Sequence, residues 1–139
     1  MGEKTSQKKF VAPKALKTWF VIHFAVDVTF AIPLMIIPEL FLTLMGWIIV
    51  DPIATRIVAA ALFGIGIESL LGRNGSLESF KGMLNLKIIW SFATIVGIAI
   101  SMFYVSLNNV VFLALLLTIF VVFHIIWVYW RVKISGAEM

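Results

Sequence analysis

The chain has 139 residues, 62% of them hydrophobic and 13% charged, with a net charge of +4 and a mean hydropathy of +1.08. A soluble domain of this size buries somewhat under about 70% of its unfolded surface and takes about a quarter of its residues from the charged set, so no water-soluble globule has an interior for this many apolar side chains. The composition demands a bilayer as solvent. It also offers no glycine-rich phosphate loop, no nucleophilic serine motif and no cysteine, so nothing in the sequence points to an enzyme.

In chain order, residues 1–15 form a polar tail carrying Lys4, Lys8, Lys9 and Lys14. The first apolar run covers residues 16–37, too long for the roughly 7–15-residue core of a cleaved signal peptide, and reads as a membrane anchor that stays. The segment Glu39–Met45 is too apolar for a free loop and too short to span; it predicts a turn or two of interfacial helix broken at Gly46. The second span covers 52–72, opened by Asp51 as a cap and Pro52 at the first helical position. After a polar turn ending near Gly82, the third span covers 83–104; a short turn leads to the fourth at 110–130. Residues 16–131 therefore form a single all-α domain of four transmembrane helices, with 132–139 as a second tail.

Lysine and arginine set the direction. The first tail and Lys17, the turn with Arg73 and Lys81, and Arg131 with Lys133 hold nine of the eleven, whereas residues 38–51 and 105–109 hold none. The positive-inside rule then places both termini in the cytoplasm of a cell-membrane protein. Trp19, Trp127, Tyr129 and Trp130 fall at the inner interface and Trp47 and Tyr104 at the outer one, while Trp90 sits deeper. The basic flanks suit anionic lipid headgroups and give no reason to invoke nucleic acid.

An ionisable side chain at mid-bilayer costs about 2.5–3.5 kcal/mol even on insertion scales, so each one calls for a partner or a function. His23 and Asp27 are spaced i, i+4 and share a face with Phe20, Phe30, Ala31 and Leu34. Pro33, six residues past Asp27, predicts a kink. Glu68 ends a small-residue row with Ala60 and Gly64, and Lys87 begins another with Ser91, Thr94 and Ser101, with Gly97 at its edge; both rows are candidate helix-packing faces. Glu68 and Lys87 lie at one depth on consecutive antiparallel helices, which predicts an ion pair. Arg56, one turn inside the outer end of its helix, either snorkels outward or turns inward toward Asp27. His124 matches His23 in depth, a pattern compatible with bis-histidine haem, or with a metal held together with Asp27 and Glu68, as well as with a histidine that only hydrogen-bonds a carbonyl.

The segment from Arg56 to Leu71, preceded by Asp51-Pro52 and by residues 33–47, resembles the small DoxX-like four-helix membrane proteins, over most of residues 14–131. Arg56, Gly64 and Gly66 stand at the matching positions. The resemblance implies a compact four-helix bundle and assigns no activity. Asp27, Lys87 and His124 correspond to no motif of that family, so their roles rest on the physical reading.

Three functions fit these residues. The first is a non-catalytic protein that seats a lipid or small apolar ligand, or docks as an accessory subunit on a larger membrane complex, around a polar cluster of His23, Asp27, Glu68, Lys87 and His124. The second is a small proton-coupled transporter, a homo-oligomer because four helices leave little room for a path. The third is a membrane redox protein with haem on His23 and His124.

Overall fold

The computed structural model describes residues 10–104 and 107–136, including every side chain of these except those of 107–109. Lys4, Lys8, Lys9 and most of the expected turn at 105–109 therefore lie outside the described residues or side chains. The elements are α1 (Lys14–Ile36), α2 (Pro38–Leu44), α3 (Pro52–Gly72), α4 (Leu77–Ser101) and α5 (Leu107–Ser135). All but α2 are long and apolar enough to cross a membrane. They match the four expected spans, and α2 is a short helix where one was expected between the first two.

Local chemistry sets the boundaries. Pro38 has no N–H to donate and disfavours helical backbone at the residue before it, so α1 ends at Ile36 and Ile37 leaves the helix at φ −132°. Pro38 then opens α2, and Gly46, at φ 96°, turns the chain away from it. The Asp51 carboxylate accepts from Ile53 N at 2.9 Å and Ala54 N at 3.1 Å, capping α3 as expected. The expected span ends at 104 and 110 become Ser101 and Leu107, so α5 begins inside the expected turn, and two boundaries differ by more. Ser76 accepts from Ser79 N at 3.2 Å and starts α4 at Leu77, so residues expected in a polar turn form its first turn and a half. At the far end α5 continues to Ser135, because Ile134 is buried and Ser135 is bonded back to the Arg131 carbonyl. The expected tail at 132–139 is thus helical in its first part.

The hydroxyls of Thr18, Thr29, Thr55, Ser69, Thr94, Ser101 and Thr118 each donate to a carbonyl four residues earlier. Apolar helices carry these polar side chains without leaving them unsatisfied.

Packing does not follow chain order. α1 packs chiefly on α3 and α4 on α5, while the consecutive helices α3 and α4 touch sparsely. At the end nearer the chain termini the two pairs close on an aromatic plug. Leu16, Phe20, Phe80, Leu84 and Trp127 are fully buried there, with Ala12, Met83, Trp130 and Ile134 around them. Trp127 and Trp130 are therefore core residues, not the interfacial anchors expected, because the face of α5 that carries them packs against α1 and α4 residues. At the other end a smaller cluster of Ala31, Leu34, Ala59 and Leu62 joins α1 to α3. Large apolar side chains face outward along the helices: Ile36, Ile53, Leu71 and Ile89 are each about 70% exposed. Water would make such a surface sticky; hydrocarbon makes it the favourable one.

Candidate functional site

Between the two helix pairs lies a cavity of about 460 Å³. Its walls come from every helix, and most of its lining is aromatic or aliphatic, with Phe30, Phe41, Trp47, Trp90, Phe112 and Phe120 among them. It reaches from Trp47 and Ile98 at the α2 end down to His23, Asp27, Lys87, Ser91 and Trp127, where the aromatic plug closes it. The volume falls within the roughly 300–1,000 Å³ usual for small-molecule sites, and an apolar chamber with a few convergent polar groups is their usual chemistry.

The polar end is built by three helices. Lys87 on α4 is 3% exposed, and its ammonium donates to Ser69 Oγ on α3 at 2.6 Å and lies 3.2 Å from His23 Nδ1 on α1. The same nitrogen stands 5.2 Å from the Phe20 ring centroid and 5.1 Å from that of Trp127, so two aromatic faces replace part of its hydration. One turn along α1, Asp27 Oδ2 comes within 2.9 Å of His23 Nδ1, close enough to attract a charged imidazole, but it has no hydrogen-bond donor. One ring nitrogen cannot donate to Asp27 and accept from Lys87 at once, which is why one of the two contacts must lack its proton. The imidazole is locked edge-on against Phe123 and Trp127, at centroid distances of 4.9 and 5.1 Å.

Asp27 reaches this place because α3 offers it a glycine. A methyl group at Gly66 would stand 2.8 Å from Asp27 Cβ and 3.2 Å from its Oδ2. The close approach of α1 and α3 thus depends on Gly66 and not on the row Ala60, Gly64, Glu68. Ala60 and Gly64 face outward, and a methyl group at Gly64 would meet nothing within 4 Å.

The expected ion pair of Glu68 and Lys87 does not form. Glu68 is exposed near the end of α3, and the inward neighbour is Ser69, which shares the buried face with Ala59, Leu62 and Gly66. The expectation rested on consecutive helices packing together; α3 instead packs on α1, which turns Glu68 out toward the surface and Ser69 in toward Lys87. Of the expected face on α4, Lys87, Ser91, Thr94 and Ile98 do line the cavity, whereas Gly97 and Ser101 are exposed. Arg56 takes the outward alternative. It is exposed and donates from Nε to the Met35 carbonyl at 3.1 Å, a cation on one of the last carbonyls of α1, well away from Asp27. His124 is bonded through Nδ1 to Ser91 Oγ at 2.8 Å, while His23 engages Asp27 and Lys87, so the two imidazoles serve different partners. Among the described residues no group of three or more His, Asp or Glu is placed to hold a metal, and Glu68 in particular is not joined to His23 and Asp27.

The sequence reading missed Ser69 and Trp127. Ser69 was signalled by its position three and seven residues after Gly66 and Leu62, the spacing of one helix face. For Trp127 the burial came from tertiary packing alone. Its indole Nε1 is buried and has no hydrogen-bond acceptor, and Asp27 Oδ2, beside His23 Nδ1, is buried without a hydrogen-bond donor.

Four helices long and apolar enough to cross a membrane fit a small multi-pass helical membrane protein, with a polar-floored cleft between its helix pairs. Comparison with known protein families, curated proteins and solved structures finds no match for the chain.

Proposed function

We propose that this protein is a non-catalytic binder of a small, mainly apolar molecule, which it holds between its helix pairs within the cell membrane. The observation that carries this reading is the cavity itself, with apolar walls from five helices and a polar floor of His23, Asp27, Lys87 and Ser91. Lipid hydrocarbon gives helices no hydrophobic drive to associate, so a bundle held by close packing gains little from an empty centre. The basic residues fit the same picture. Arg73, Lys81, Arg131 and Lys133 sit at the end of the bundle that carries the termini, and the positive-inside rule assigns that end to the cytoplasm. The cavity then occupies the outer part of the bundle, with its polar floor toward the middle of the membrane.

The test is occupancy. Protein purified in mild detergent is denatured in organic solvent and the released small molecules are quantified by mass spectrometry. An apolar molecule approaching one per chain is expected from the wild type. Thr94→Trp, which fills the cavity from α4, is expected to reduce that yield at least tenfold while leaving bulk membrane lipid unchanged. Equal yields from the two proteins would refute the reading.

A further inference from the structure

We infer that the molecule held between the helix pairs is a membrane lipid, whose acyl chain enters sideways through the seam between α3 and α4 while its headgroup stays in the outer leaflet. The inference rests on the reading of the cavity as a binding site and names its occupant.

The seam is a wedge. At its inner end α3 and α4 meet: Ser69 Oγ accepts from Lys87 at 2.6 Å, and Gly72 leaves the room that the Met83 side chain fills. From Ser69 toward the outer end, no hydrogen bond or ring contact among the described residues joins the two helices. Exposure rises in step along the facing stripes. On α3, Ser69 is 1% exposed, Ile65 and Ala61 are half-buried, Val58 is 47% exposed and Ala54 is exposed as well. On α4, Lys87 and Ser91 are buried, and Thr94 and Ile98 are half-buried. Ala54, Val58, Thr94 and Ile98 all line the cavity, so the exposed side chains of α3 mark where it opens to the surrounding hydrocarbon. The seam between α1 and α5 is instead bridged at both ends, by Trp19 and His23 against Phe123 and by Trp47, just past α2, against Phe112.

Depth and chemistry then select a chain. From Ile98 down to Lys87 the α4 wall of the cavity extends about 16 Å at a rise of about 1.5 Å per residue. That is close to half of the roughly 30 Å hydrocarbon core, the depth of one leaflet. Above Asp27 and Lys87 the lining carries no charge. The threonine hydroxyls near the mouth, Thr55 and Thr94, donate to backbone carbonyls four residues earlier. At the floor the polar groups engage one another: Lys87 with Ser69 and His23, Asp27 with His23, and Ser91 with His124. Drawing a polar head down this passage strips its water and returns no free partner. A chain whose head stays at the interface keeps that hydration and gains contact with the aromatic and aliphatic walls.

The test uses the full chain in phosphatidylcholine vesicles with two photoreactive probes, each carrying a diazirine at the end of its hydrocarbon chain: a phosphatidylcholine, and an alkane of the same chain length. After illumination the adducts are mapped by peptide mass spectrometry. In the wild type the phospholipid is expected to label Leu116 and Phe120, on the cavity-lining face of α5, as well as the outward-facing Val122 and Ile125. Val58→Trp and, separately, Ala54→Trp narrow the mouth; each is expected to cut labelling of the lining face at least tenfold and to leave the outward labelling unchanged. Ile57→Trp, exposed and outside the cavity lining, is expected to change neither. A lining face labelled by the alkane but not by the phospholipid, in the wild type alone, overturns the inference and leaves the cavity to free apolar molecules. Phospholipid labelling of that face which survives both mouth variants overturns entry between α3 and α4. A lining face labelled by neither probe overturns the binding reading itself.

Discussion

Gly66 is where the structure makes its sharpest demand on the sequence. Replacing it with alanine puts a methyl carbon 2.8 Å from Asp27 Cβ, against the 3.4–4 Å of ordinary contact, so α1 and α3 must part by at least about 0.6 Å or Asp27 must leave its rotamer. Neither movement is cheap. The methyl meets the first side-chain carbon, which cannot swing aside without carrying the helix with it, and overpacking of this kind costs about 1–3 kcal/mol. Moving Asp27 also disturbs its approach to His23 Nδ1, now 2.9 Å. Gly64, two residues away on the same helix, supplies the control, because alanine there meets nothing within 4 Å. Gly64→Ala is expected to be neutral, or stabilising by up to about 1 kcal/mol through helix propensity. Both variants are compared with wild type by reversible unfolding in mixed micelles of mild detergent and dodecyl sulfate, followed by far-ultraviolet circular dichroism. Helix propensity favours both variants alike, so the expected result is Gly66→Ala less stable than Gly64→Ala by the overpacking term, about 1–3 kcal/mol. Two variants of equal stability, or the reverse order, would show that α1 does not pack on α3 through Gly66.

Ser69→Ala withdraws the 2.6 Å acceptor of the Lys87 ammonium and leaves a buried donor without its partner, so a loss of about 1–3 kcal/mol is expected in the same unfolding assay; a variant as stable as wild type would mean that Lys87 does not use Ser69. The double variant Asp27→Asn with Lys87→Met removes both halves of the pair around His23, and its cost is expected to fall short of the sum of the single costs by about 1–3 kcal/mol; additive costs would show that the two groups do not interact. The chain has no cysteine, so single cysteines report topology without background. In intact cells Glu39→Cys in α2 is expected to react with a membrane-impermeant maleimide and Glu78→Cys at the start of α4 to react only after permeabilisation; the opposite pattern would reverse the orientation drawn from the basic residues.

How much of this was legible in the residues depended on the range of the interaction involved. Features set by neighbours within a few positions were readable: the spans, from apolar runs of bilayer length; the Asp51 cap, from Asp followed by Pro; and the approach of His23 to Asp27, from four-residue spacing. Features set by which helix packs on which were not. Glu68 and Lys87 have matching depths on adjacent helices, and depth is all that a linear chain encodes about two such residues; the angular position around each helix decides whether they meet. Here the glycine at 66 draws α3 onto α1, which rotates Ser69 inward and Glu68 outward. The same rotation leaves the small residues Ala60 and Gly64 facing outward and opens the gap between the two helix pairs. A charged residue attracts notice in an apolar helix because burying it is costly, yet that cost is also the reason the chain turns Glu68 to the rim and gives Lys87 a serine, an imidazole and two aromatic faces instead. The cavity follows from this arrangement: four helices that pair as two units, with α2 at one end and an aromatic plug at the other, leave between them a space whose floor consists of the polar groups that the pairing turned inward.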